Sequence, residues 1–160
     1  MDQDLSTLSN EEITQLEDAF AYITILIAGA DGKIDPKEVA WAEKIAQIRT
    51  YAGDERLKSF HADVNTNLDS RIKELIHDLP TDISKRSAII SEKLSQLNHI
   101  LMNLDPSIGS YLYKGYVSFA VRIAKASGGF LSFFTIGPEE KKWVRLPMLN
   151  PIIYNPDEEE

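Results

Sequence analysis

Cysteine is absent from the 160 residues, which excludes disulfides, thiolate nucleophiles and zinc–thiolate centres. Long apolar runs are scarce too. The most apolar segment, AFAYITILIAGA at Ala19–Ala30, is far shorter than the roughly 20 residues a membrane-spanning helix needs. The opening MDQDL is acidic and polar, unlike the basic start of a secretory signal, so a cytoplasmic protein is expected. Clustered cations are also lacking. Lys and Arg number 17 against 25 Asp and Glu, a formal charge of −8, and no basic stripe with interleaved aromatics is present. Phosphate neutralisation needs such a stripe, so nucleic acid is excluded as an expected partner. Four of the acids form the terminal Asp157–Glu160, which reads as a solvated end. No stretch alternates with period two, so no strand is expected.

What remains is helical periodicity on a chain long enough to bury one core. Ile13, Leu16, Phe20, Ile23, Ile27 and Ala30 recur at three- and four-residue steps, with Ser9 and Glu12 as a capping box at the start. Trp41, Ile45, Ile48 and Ala52 form a second stripe that stops at Gly53. Leu57, Phe60, Val64, Leu68, Ile72, Leu75 and Leu79 form a third, closed by Pro80, with the polar Asn65–Asn67 as a candidate break. Ile90, Leu94, Leu97, Leu101 and Leu104 make a bundle-type seam. Asp105-Pro106 opens a further helix carrying Leu112, Tyr116, Phe119, Ile123 and Ala126. Gly137–Glu140 opens a short last helix containing Trp143. The expectation is an all-α, single helical domain of six or seven helices over 1–146. Three prolines break the remaining 147–160 into an extended acidic tail. Its apolar Met148, Leu149, Ile152, Ile153 and Tyr154 are candidates to lie on the domain or to dock another protein.

The chain also repeats itself. IAGADG at Ile27–Gly32 is echoed by IAKASG at Ile123–Gly128, and IDPKEVAW at Ile34–Trp41 by IGPEEKKW at Ile136–Trp143. The offset is 96 residues before the turn and 102 after it, so the second turn carries six extra residues. This predicts an internal pseudo-two-fold helix–turn–helix repeat. The helical hairpin, the ADGKIDPKE turn at Ala30–Glu38 and its degenerate C-terminal copy resemble the TerB-like tellurite-resistance family. They are similar as well to the N-terminal domain of membrane-anchored DnaJ-like cochaperones. The similarity runs over about Glu12 to Leu146 and carries over Asp31, Gly32, Ile34 and Glu38, with Glu140 as counterpart of Glu38. It implies an all-helical, pseudo-two-fold fold and a stress-response setting. Ser127 stands where the first copy has Asp31, and Gly137 where it has Asp35, so a site drawing acids from both turns is impoverished.

Set against a calcium loop, Asp31, Asp35 and Glu38 fall at ligand positions, but Ile27 and Gly29 occupy two that need oxygen donors. The best such a turn offers is a weak Ca2+ or other divalent-cation site at Asp31, Asp35, Glu38 and Glu140. A capped turn explains the same residues more economically. Gly32 reverses the chain, Asp35 caps the next helix, Pro36 takes its first position and Glu38 completes the box. No cofactor is therefore expected. His61, His77 and His99 are scattered along helices without a ligand at i+4, and Trp41 and Trp143 sit at core spacing. The second turn, GGFLSFFTIGP at Gly128–Pro138, is the unusual one. Phe130, Leu131, Phe133, Phe134 and Ile136 either fill the gap between the halves or form a docking surface for a protein partner or, less favoured, a membrane surface. No nucleophile–base or paired-acid constellation is visible. The sequence thus points to a non-enzymatic interaction module, with a cation-binding or sensing protein as the alternative.

Overall fold

The computed structural model describes residues 5–29, 40, 44, 55–127 and 143–154. Five α-helices run through them: α1 (Asn10–Ala28), α2 (Lys58–Asp78), α3 (Ile83–Ser95), α4 (Leu97–Asn103) and α5 (Pro106–Ser127). Short 3-10 turns occupy Leu5–Thr7 and Glu55–Leu57, and Ala40 and Lys44 have helical backbone. No strand occurs among the described residues, so the all-α class stands. The stripe from Trp41 to Ala52 falls largely outside the described residues, as does the start of the helix before Trp143.

α1 begins where the capping box places it. The Ser9 hydroxyl accepts from the Glu12 N–H at 3.1 Å, and the Glu12 carboxylate accepts from the Ser9 N–H at 3.0 Å. Leu16, Phe20, Ile23 and Ile27 are buried as their spacing predicts, yet so are Ala19, Ala21, Ile25 and Leu26. The expected single stripe is too narrow for this helix. α1 packs against α2, α3 and α5 together, and a helix covered on several sides is apolar almost all round.

α2 is continuous over 21 residues. Asn65–Asn67 does not break it, because Thr66 Oγ1 donates to the Ala62 carbonyl at 3.0 Å and Asn67 Nδ2 to the Asp63 carbonyl at 3.0 Å. These side chains spend their donors on their own helix. The seam from Ile90 to Leu104 is buried at all five positions, but it spans two helices. At Gln96 (φ −64°, ψ −20°) α3 gives way to α4. α5 opens after Asp105, whose carboxylate accepts from the Ser107 N–H at 2.9 Å. The hydroxyl of Ser107 also bonds this carboxylate, which holds the Asp105 acid below its ordinary range.

The core is organised around one ring. Phe20 on α1 meets Tyr116 and Phe119 on α5 at centroid distances of 4.9 and 5.1 Å, the latter edge-on, and Phe60 on α2 at 6.3 Å. Tyr116 is fully buried, and its hydroxyl donates to the Leu16 carbonyl at 2.7 Å. His61 is buried here too, with rings of Phe20, Phe60 and Tyr111 around it. Its neighbours make it a core histidine, whereas His77 and His99 are exposed.

Beyond Trp143 the chain leaves helical geometry. Leu146 is fully buried with φ +48°, a left-handed conformation that leucine rarely adopts. Residues 147–154 then cross the outside of α4 and α5 as a strap. Leu149 enters the core at 3% exposure, Met148 and Ile152 are partly buried, and Ile153 is 88% exposed. Asn98 clips the strap with both ends of its amide. Its Nδ2 donates to the Met148 carbonyl at 2.9 Å, and its Oδ1 accepts from the Asn150 N–H at 2.7 Å.

Candidate functional site

The acids of the two turns (Asp31, Asp35, Glu38 and Glu140) lie outside the described residues, and so do Phe130, Leu131, Phe133, Phe134 and Ile136. What is described is the threshold of the first turn. α1 ends at Gly29 (φ −90°, ψ 5°), whose N–H donates to the Ile25 carbonyl at 2.8 Å. Its own carbonyl accepts from Arg86 Nη2 at 2.6 Å. Arg86 stands on α3 and is 8% exposed. A guanidinium at a helix C-terminus answers the carbonyls left over there and the negative end of the helix dipole. The fit is tight. A Cβ at position 29 would stand 2.6 Å from the Ile25 carbonyl oxygen and 2.8 Å from Arg86 Nη2, so glycine is needed for close approach.

Sequence reasoning passed over Arg86, although a signal existed. It lies four residues before Ile90, on the extension of the apolar seam, where a basic residue is out of place unless something meets its charge.

A groove of about 280 Å³ lies between α1 and α2. It is lined by Glu17, Asp18, Asp63, Asn67, Arg71 and Glu74, among others. Arg71 forks onto Asp18, Nε to Oδ1 at 2.8 Å and Nη2 to Oδ2 at 3.0 Å, while Nη1 reaches Glu74 at 2.9 Å. The Asp18 hydrogen bond, more than any other influence, holds the guanidinium pKa above its ordinary value. This bidentate geometry is the strong form of ion pair. It ties α1 to α2 through residues 53 positions apart in sequence, and the same pair lines a second hollow, of about 170 Å³, toward Tyr22 and Lys93.

Burial, then the nearby Asp63 and Asp18 charges, push the Glu17 carboxyl above its ordinary range. The hydroxyls of the groove are turned away from it chemically: Thr14 Oγ1 donates to the Asn10 carbonyl and Ser70 Oγ to the Asn67 carbonyl. The arrangement suits holding one helix against another. Among the described residues no group of three or more His, Asp or Glu is placed to hold a metal ion, and no helix is long and apolar enough to cross a membrane.

Glu17 supplies a pH test. Its folded pKa is raised, so the folded state holds the proton more tightly and ionised Glu17 opposes folding above that pKa. Glu17→Gln is expected to raise the melting temperature at pH 7. The gain should shrink as pH falls through the raised pKa toward the unfolded value of 4.5. Melts at pH 7, 5 and 4 check it; a gain that stays constant across them contradicts the assignment.

No family model matches the chain, and no curated protein or solved structure is detectably similar to it.

Proposed function

We propose that the chain is a TerB-like helical interaction module, non-enzymatic and associated with stress response or tellurite resistance. In this reading it is one domain whose two helix–turn–helix halves are related by a pseudo-two-fold axis. The observation that carries it is the correspondence between α1 and α5. Asn10 and Pro106, the first residues of the two helices, stand 96 positions apart. At the same offset Ser9 and Asp105 each bond a first-turn N–H. Leu16 and Leu112, Phe20 and Tyr116, Ile23 and Phe119, and Ile27 and Ile123 keep that offset, and every one is buried. Equivalent residues meet at a two-fold axis, and the Phe20 and Tyr116 rings touch. The stress-response setting rests on the family resemblance alone.

In this reading the partner surface is the apolar second turn: Phe130, Leu131, Phe133, Phe134 and Ile136. Phe133→Ser with Phe134→Ser is expected to leave the melting temperature near that of the wild type. The same double variant should lose the partner retained by the intact chain in a pull-down from tellurite-stressed cells. If these rings were core, two buried hydroxyls and two missing rings would cost several kcal/mol, and a collapse in melting temperature would overturn the docking role. A divalent-cation role for Asp31, Asp35, Glu38 and Glu140 is the weaker reading. Arg86 already sets a buried cation on the Gly29 carbonyl, two residues before Asp31, and like charge opposes a metal ion there.

A further inference from the structure

We infer that residues 147–154 form an exchangeable strap, and that the groove they fill on α4 and α5 accepts the same segment from a second copy of this chain. The groove reads its occupant in two ways. Asn98 bonds the backbone on either side of residue 149, through the Met148 carbonyl and the Asn150 N–H. Leu149 is the side-chain anchor, and Ile152 lies over Gly109, its Cδ1 3.6 Å from where a Cβ on that glycine would stand. A strap arriving from another molecule would restore each of these contacts. The closed monomer and the exchanged dimer therefore differ mainly at the hinge.

The hinge is where the closed form is strained. Leu146 sits at φ +48°, unfavourable for a leucine. It also precedes Pro147, and proline pushes its predecessor toward extended backbone. An extended Leu146–Pro147 relieves both conflicts and carries the strap away from its own groove. Extension turns the fully buried Leu146 side chain with it and opens the 2.9 Å bond from the Leu149 N–H to the Leu146 carbonyl, so both contacts oppose release of the strap. Exchange of an identical element between copies needs no new complementary surface. A further opponent is the tether, which presents the strap to its own groove at an effective concentration of about millimolar.

The test uses the full chain, incubated at about millimolar concentration, diluted, and sized by chromatography with light scattering. A dimer is expected, and two mass-tagged populations incubated together should yield mixed dimers. Pro147 is exposed, so Pro147→Ala disturbs no core contact. It eases the left-handed hinge of the closed form and should lower the dimer fraction several-fold, with the melting temperature held or raised. A chain that stays monomeric throughout overturns the inference. So does a dimer whose fraction Pro147→Ala leaves unchanged, because its interface lies elsewhere.

Discussion

Phe20→Ala is expected to lower stability by about 3–5 kcal/mol, the range for a large buried aromatic. For a chain of this size that is a fall of roughly 6–20 °C in melting temperature. The loss should lie toward the upper end, because this ring is the contact common to three helices. Tyr116 and Phe119 pack on it from α5 and Phe60 from α2, and aromatic pairs add to the burial of their area. Phe20→Leu keeps the apolar volume in part and should recover about half of the loss. A thermal or urea melt decides it; a Phe20→Ala variant within about 1 kcal/mol of the wild type would mean that the cluster does not organise the core.

Arg86→Ala is the second large effect. Removing the guanidinium leaves the Gly29 carbonyl without its charged donor and opens a hole beneath the end of α1. Hydrogen bonds to charged groups contribute about 1.5–3 kcal/mol, and the lost packing of the aliphatic stem adds to this. A drop of about 2–4 kcal/mol is therefore expected. Arg86→Lys should recover only a part, because an ammonium lacks the planar fork and its reach. The informative readout is hydrogen exchange at the C-terminal turn of α1. The Gly29 and Ala28 amides should lose protection in Arg86→Ala before those of Phe20 and Leu16. Uniform loss along the helix would make the defect global and deny Arg86 a role at the helix end.

The helices were legible wherever burial is decided by local spacing. Leu57, Phe60, Val64, Leu68, Ile72 and Leu75 follow three- and four-residue steps, and all are buried in α2 or at its threshold. Ser9, Asp105 and Pro106 marked their helix starts through chemistry confined to a few residues. Less was legible where partners come from afar. Arg86 meets a carbonyl 57 residues upstream, and Asn98 clips backbone about 50 residues downstream. Read alone, each looks like an ordinary polar residue. The groove of Glu17, Asp18 and Arg71 likewise exists only once α1 and α2 lie in register. The step from α3 to α4 at Gln96 escaped notice because the apolar seam runs through it unbroken. The turns singled out as sites, from Asp31 to Glu38 and around Glu140, lie outside the described residues.

Phe20's position in the chain also bears on synthesis. Its α2 partner, Phe60, emerges some 40 residues later, but Tyr116 and Phe119 follow only after nearly a hundred. At about 5–20 residues per second the ribosome takes roughly 5–20 s to cover that distance. Once α2 has emerged it can pair with α1, yet the edge of α1 meant for α5 stays open to water until the end of that interval. A nascent chain in this state carries an apolar strip with no cover of its own. Slowing translation between residues 60 and 116 should lengthen its exposure to chaperones and to other nascent copies, while slowing after residue 127 should not.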